Sequence, residues 1–195
     1  EKLVAYEYNG YWKDVGTLSS YWEANMELID IIPEFNLYEE FWKIYTSGDI
    51  IPPQYISEDA KILRCIIGDG TEICGEVENS IIGAGVTIKK GAVVKNSIIM
   101  KGTVIGEGAV VEKAIIAENS VIGAGAVLGI GEEKVNRYRP DVYTGGLVTI
   151  GEDSIIPDGV KIGKNTAIIG KTEAADYPDG ILESGGSIIK DGGEA

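Results

Sequence analysis

The chain has 195 residues, of which 44% are hydrophobic and 25% are charged, and its formal net charge is −14. This composition excludes disorder for most of the chain, and the absence of a basic stripe argues against nucleic-acid binding. The sequence has no histidine, which excludes Ser-His and Cys-His catalytic pairs and histidine metal clusters, and it has no apolar run long enough to span a membrane.

The first predicted element is a β-hairpin. Residues 3–8 alternate between apolar and polar side chains, and Asn9-Gly10 is a strong turn signal. Residues 11–15 resume an extended pattern, which predicts the second strand.

A helix is predicted next. Ser20 and Glu23 have the spacing of a capping box, Trp22, Met26 and Ile29 share one helical face, and Pro33 follows them. A hairpin and one helix cannot build a core alone. We therefore expect this region to pack on the rest of the chain or to be the end of a larger domain.

A 17-residue repeat dominates the remainder. Residues 81–97, 98–114 and 115–131 align with one another, a shorter copy precedes them, and the pattern returns near Ile150. Within each block the apolar anchors recur every six residues, which fits short strands joined by tight turns rather than a helix or a hairpin. Stacked triangular coils of this kind form a parallel β-helix, here of about five coils and about 24 Å in height.

Residues 132–148 interrupt the repeat and contain Arg137 and Arg139. One interpretation is a surface loop that leaves the stack, since loops tolerate insertions. The other is an anion or interface site built on the two arginines. The last stretch, residues 170–195, is expected to cover the open end of the stack.

Cys65 and Cys74 match no zinc or redox spacing, so we expect free thiols in a reducing compartment, the cytoplasm.

Two stretches carry a family resemblance. Residues 10–29 read GYWKDVGTLSSYWEANMELI, and residues 44–62 read IYTSGDIIPPQYISEDAKI. They resemble the end of the catalytic domain and the linker of the glucose-1-phosphate adenylyltransferases (ADP-glucose pyrophosphorylases), which make ADP-glucose and pyrophosphate from ATP and glucose 1-phosphate for glycogen synthesis. The resemblance implies a left-handed β-helix over residues 53–195, with an insert at 132–148. Residues 1–52 would then end an α/β nucleotidyltransferase domain, as a hairpin-plus-helix remnant.

The resemblance also implies roles for individual residues. By its place in the Y-W-x-D-V-G-T motif, Asp14 would be a Mg²⁺ ligand in the full-length enzyme, although an Asp before Gly16 and Thr17 also fits a turn or helix cap. Arg137 and Arg139 would bind a sugar-phosphate or phosphate effector. The family's Gly-rich nucleotide loop is absent from this sequence, so no catalytic residue is assigned and the chain alone is expected to be inactive. The family also implies a homo-oligomer, a tetramer.

Two other functions are compatible with a β-helix. A scaffold would hold subunits together without a ligand. A hexapeptide-repeat acyltransferase would use a histidine base, which this sequence lacks.

Overall fold

The computed structural model describes residues 2–43, 45, 48 and 50–190. Among these residues strands dominate, with one α-helix, α1, at Leu18–Glu27 and two short 3-10 helices at Ala174–Asp176 and Pro178–Gly180. The strands in chain order are β1 Tyr55–Ile56, β2 Lys61–Ile67, β3 Glu72–Ile73, β4 Glu76–Ile82, β5 Thr87–Ile88, β6 Val93–Lys95, β7 Ile98–Ile99, β8 Val104–Ile105, β9 Val110–Glu112, β10 Ala114–Ile116, β11 Val121–Ile122, β12 Val127–Ile130, β13 Val148–Ile150, β14 Ile155–Ile156, β15 Lys161–Gly163, β16 Thr166–Ile169, β17 Ile181–Leu182 and β18 Ser187–Ile189.

The strands stack in parallel as a three-sided β-helix, which confirms the predicted fold class. Face A is a 6-stranded sheet in the order β1-β3-β5-β8-β11-β14. Faces B and C form one 12-stranded sheet, because β2 and β4 bend around the corner between them. Face B consists of β6, β9, β12, β15 and β17 with the first halves of β2 and β4, and face C consists of β7, β10, β13, β16 and β18 with their second halves.

The described residues form seven coils rather than about five, since faces B and C each carry seven layers when β2 and β4 are counted on both. The repeat does not predict the first and last coils, because they lack the full six-residue repetition. Among the described residues, the last coil pairs with face A only through a bridge from Ile155 to Lys171. From first to last, the coils are residues 55–67, 72–82, 87–99, 104–116, 121–150, 155–169 and 171–189.

The core is a column of aligned aliphatic side chains. In the register of face A, Ile73, Ile88, Ile105, Ile122 and Ile156 lie above one another, and each is at most 1% exposed. The predicted six-residue anchors are therefore the residues that fill the interior, and the removal of their apolar surface from water stabilises the stack.

The B–C corner is turned by residues in the left-handed region. Asn79 and Asn96 have φ values of 48° and 50°, and Lys113 has 51°. Asparagine adopts this conformation more readily than most residues because its short amide bonds locally to the backbone. In the fifth coil, residues 131–147, here called the corner loop, leave the stack at this corner between β12 and β13.

The predicted hairpin is wrong. Residues 2–16 form no strand, and Leu3 and Tyr6 are 97% and 90% exposed. Alternation in sequence makes a hairpin only where a further strand or a packed face covers one side. The described part of the chain provides no such cover for these residues.

The predicted helix is present, but its boundaries differ. It begins at Leu18, and Thr17, not Ser20, is the N-cap; the Thr17 side chain accepts from the Ser20 backbone, and Ser20 Oγ accepts from the Thr17 backbone. Two hydroxyl residues at this spacing satisfy the first-turn amides, so Glu23 is not needed in a capping box. None of the described helices is long and apolar enough to cross a membrane.

Candidate functional site at the junction of helix and corner loop

Helix α1 packs on the outside of face C. There the outward residues of neighbouring strands are apolar, with Ile98 and Ile115 aligned in register and 3% and 4% exposed. They form a second hydrophobic cluster, separate from the column inside the stack, together with residues of the helix, its neighbouring strands and the corner loop: Leu18, Tyr21, Trp22, Met26, Ile81, Met100 and Leu147. The prediction that Trp22 and Met26 lie on a packed helical face is confirmed, whereas Ile29, predicted on the same face, is buried but lies beyond the end of α1 at Glu27.

Trp22 anchors the helix to the B–C corner. Its indole Nε1–H donates to the backbone oxygen of Asn96 at 2.8 Å, and the Lys113 ammonium lies 5.3 Å from the centroid of its ring. The Asn79 amide donates to Asn96 Oδ1, and the Asn96 amide donates to Glu112 at 2.7 Å. A ladder of polar side chains thus fixes the corner residues that Trp22 contacts.

The two ends of this region are tied to opposite parts of the stack. After the helix, Asp30 pairs with Arg64 of the first coil at 3.2 Å. In the first turn of the helix, Ser19 Oγ lies 3.3 Å from the hydroxyl oxygen of Thr144 in the corner loop. From Ser19 to Asp30 the chain advances by eleven residues, and at the helical rise of about 1.5 Å per residue this spans most of the height of the four coil steps, of about 4.8 Å each, between the fifth coil and the first. The helix therefore runs along the stack axis rather than around it.

Two buried asparagines hold the corner loop. Asn136, 2% exposed, donates to the Asn165 carbonyl and to Ser187 Oγ, while its Oδ1 accepts the backbone N–H groups of Tyr138 and Arg139. Asn165, 7% exposed with φ of 53°, accepts from Gly146 N and donates to the Lys134 carbonyl. The loop thus descends over the sixth and seventh coils and returns to β13.

Arg137 and Arg139 lie on the outer side of this loop and are exposed. The Arg137 backbone donates to Gly185 at 2.9 Å, which fixes its position, but within the described residues neither guanidinium forms an ion pair. The residues from 137 to 139 therefore present two cations on an anchored backbone.

A cleft of about 380 Å³ separates the corner loop from the start of the helix. Asp141 and Val142 of the loop form one wall. Val15, Gly16, Thr17, Leu18 and Tyr21 form the other. The cleft therefore lies between the segment that follows Asp14 and the segment that follows Arg139. No hydrogen bond or ion pair between described residues joins Asp14 to either arginine.

Asp14 itself is exposed and caps a turn. Its Oδ1 accepts the backbone N–H of Gly16 at 2.9 Å, directly before the N-cap Thr17. Across the described ranges, no group of three or more His, Cys, Asp or Glu side chains is placed to hold a metal ion. The described residues therefore do not build a magnesium site around Asp14, and the turn-cap geometry is the one observed.

Three asparagines at this junction, Asn96, Asn136 and Asn165, are not among the residues predicted from the sequence. A signal for Asn96 was available, because Asn79 and Asn96 are spaced by the same 17 residues that separate successive repeat blocks. Asn136 and Asn165 lie outside the regular blocks, and no spacing relates them. Their bonds become visible only when the loop is seen against the later coils.

Comparison with known proteins supports the resemblance seen in the sequence. The chain is 72% identical over 192 residues to the glucose-1-phosphate adenylyltransferase of Lachnospira eligens, covering 98% of this chain and 45% of that protein. It is 52% identical over 187 residues to that of Thermotoga neapolitana and 42% identical over 190 residues to that of Acetivibrio thermocellus. These matches cover 96% and 97% of this chain and 44% and 45% of those relatives. The chain thus spans less than half the length of the curated relatives it matches.

Among solved structures, the acetyltransferase domain of PglB from Neisseria gonorrhoeae FA1090 is 20% identical with a TM-score of 0.41, covering 72% of this chain and 52% of that one. A family model described as GlmU-like, C-terminal hexapeptide matches residues 51–150. That range is just over half of the chain and contains the first coils of the stack. The chain belongs to the GlmU-like, C-terminal hexapeptide family.

Proposed function

We propose that the chain is the C-terminal, non-catalytic part of a glucose-1-phosphate adenylyltransferase, which forms ADP-glucose and pyrophosphate from ATP and glucose 1-phosphate. The observation that carries this proposal is the 72% identity to such an enzyme over 98% of the chain. The absence of histidine and of the family's Gly-rich loop from the sequence is compatible with a part that regulates and assembles rather than one that catalyses. The reaction belongs to the assembled cytoplasmic enzyme.

In this proposal the β-helix is a rigid support, and α1 fastens the preceding segment to it. That segment exposes large apolar side chains, with Leu3 97%, Tyr6 90% and Trp12 74% accessible, and Phe41 beyond the helix fully accessible. Apolar side chains in such number favour contact with further protein. The remainder of the enzyme, which accounts for more than half of the relatives' length, is the expected partner.

Asp14 is proposed to give one carboxylate oxygen to Mg²⁺ in that assembled enzyme. One oxygen already accepts from Gly16, and the other accepts no hydrogen bond from a described residue. A single carboxylate cannot hold Mg²⁺ alone, but Mg²⁺ is usually bound through one or two carboxylates together with water and substrate phosphates. Within this chain the residue's own contribution is to hold the turn that leads into Thr17.

Arg137 and Arg139 are proposed to bind an anionic effector, a sugar phosphate or phosphate. Guanidinium groups bind phosphate oxygens in a bidentate manner, and the two here are exposed on a backbone fixed by Asn136 and Gly185. Titration with fructose 1,6-bisphosphate or sulfate tests this role. An Arg137→Ala/Arg139→Ala variant of the full-length enzyme with an unchanged effector response would refute it.

The chain is further proposed to assemble as a homo-oligomer, a tetramer, through its stacked coils. Open strand edges at the ends of such a stack favour pairing with another copy. Sedimentation of the assembled enzyme measures the subunit number, and a monomer would refute this part of the proposal.

The test of the main proposal joins this chain to the part of the Lachnospira eligens enzyme that lies outside the aligned region. Pyrophosphate release from ATP and glucose 1-phosphate is measured for the fusion, for this chain alone and for the intact relative. We expect activity in the fusion and the relative and none in the chain alone. A folded but inactive fusion beside an active relative would refute the proposal and favour a scaffold without a catalytic partner.

A further inference from the structure

The outer surface of face C is covered along its length by two elements that meet. Helix α1 covers the outward side chains Ile98 and Ile115 of the third and fourth coils. The corner loop covers the later coils, where Asn136 bonds to Ser187 and Tyr143 is 9% exposed. Within the described residues, face C is the only face covered by a helix and a loop in this way.

At their meeting point the two elements share contacts. Leu147, the last residue of the corner loop, is 1% exposed and belongs to the same apolar cluster as Leu18 and Met26. A Cβ added to Gly145, whose φ is +69°, would lie 2.8 Å from Ser19 Oγ, so the loop backbone fits closely against the helix. Displacing the loop would therefore remove part of the surface on which α1 packs.

Helix α1 depends on that surface. It has 10 residues, and isolated helices of this length are marginal in water. Its N-terminal turn, which contains Thr17 and Ser20, lies beside the loop wall of the cleft. Loss of the loop contacts would thus expose the partly buried first turn and remove the wall of the cleft that faces residues 15–17.

The side chains that anchor the loop belong to the later coils and to the loop itself, not to the helix. Asn165 fixes the loop through Gly146 and Lys134, and no hydrogen bond between described residues joins Asn165 to α1. An event at the outer part of the loop can therefore reach the helix only through the loop. The helix and the loop together cover face C, and hydrogen bonds from Asn165 fasten the loop end of this cover to the stack.

We infer that α1 and the corner loop open and close as one cooperative unit, so that anything that moves the loop around Arg137 changes the packing of the helix and of the turn at Asp14. This coupling is a property of the fold and does not depend on the proposed enzymatic role. Local opening of such a unit is measured by amide hydrogen exchange, which reports segments that unfold together.

The test measures exchange by mass spectrometry in the chain and in an Asn165→Gly variant. Glycine retains the left-handed backbone at this position but removes both side-chain bonds to the loop. We expect exchange to rise about tenfold in residues 136–147 and also in residues 18–27, as fits the loss of two buried hydrogen bonds. A rise confined to the loop would overturn the inference.

Asn119→Gly is the matched control. Asn119 has φ of 55° at a different corner, and no hydrogen bond of its side chain to a described residue is present. We expect it to leave both segments unchanged, and a tenfold rise there would show that any corner glycine loosens the stack. The exchange of β8 and β11 reports whether either variant disturbs the coils themselves.

A second exchange measurement perturbs the helix instead of the loop. Coupling of two elements acts equally in both directions. Met26→Ala, which truncates a helix side chain of the shared apolar cluster and removes no hydrogen bond of the loop, is therefore expected to raise exchange in residues 136–147 by a factor similar to its effect on residues 18–27. Unchanged loop exchange in this variant would overturn the inference even if Asn165→Gly failed to fold.

Discussion

Truncation of one core isoleucine tests how the stack is stabilised. Ile122 is 0% exposed and lies in register between Ile105 and Ile156, whereas its neighbour Val121 points outward and is 38% exposed. Ile→Ala in a core costs about 2–5 kcal/mol, more where the cavity cannot collapse. Because Ile105 and Ile156 are each held by their own coil, we expect Ile122→Ala to cost about 3–5 kcal/mol and Val121→Ala less than about 1 kcal/mol.

The assay is urea unfolding followed by far-ultraviolet circular dichroism. It gives, for each variant, the midpoint of unfolding and the slope m of the unfolding free energy against urea concentration. A change in midpoint without a change in m reports stability alone. Equal midpoints for Ile122→Ala and Val121→Ala would refute the argument that the inward column carries the stability. A changed m would instead indicate that coils unfold separately, which repeat proteins allow.

Three further results are expected. Asn96 has φ of 50°, and we expect Asn96→Gly to be about 1 kcal/mol more stable than Asn96→Ala in urea unfolding. Both variants lose the hydrogen bonds of the asparagine side chain, but only alanine is strained in the left-handed conformation. Equal unfolding midpoints for the two variants would contradict this. Trp22→Phe removes the bond to the Asn96 carbonyl and should speed exchange in residues 18–27 about fivefold, and unchanged exchange would show that the bond is not needed. The hydrogen bond from Lys190 and then the backbone N–H of Glu173 hold the pKa of Asp176 below its ordinary 3.8, so this stabilising contribution is present above that pH and is lost as pH falls through the depressed value. Carboxyl titration by NMR should show the pKa of Asp176 rising toward 3.8 in Lys190→Met, and an unmoved pKa would contradict the assignment.

The regular part of the fold could be predicted because each coil repeats the same chemistry. An apolar anchor every six residues has one structural explanation, a column inside stacked coils, and Ile88, Ile105 and Ile122 occupy it. The first and last coils could not be predicted in the same way. They bury fewer side chains, as in β1, where Tyr55 and Ile56 are 61% and 51% exposed, so their sequences are less constrained.

The site was only partly predictable. The sequence indicated a packed helix and a loop with two arginines, but a contact such as Ser19 with Thr144 joins residues that are 125 positions apart. No local pattern encodes such a pair. The hairpin prediction failed for a related reason. The alternation in residues 3–8 predicts one apolar face, but it does not indicate which other part of a protein would pack against that face.

The position of the corner loop has a consequence for the evolution of such chains. At the same corner the third and fourth coils need only one left-handed residue, Asn96 or Lys113, whereas the fifth has residues 131–147. Because Val148 still donates to the Lys113 carbonyl at 3.1 Å, the excursion leaves the register of the stack intact. Related chains can therefore gain or lose length at this corner and acquire new surface chemistry there, while every strand keeps its place in the stack.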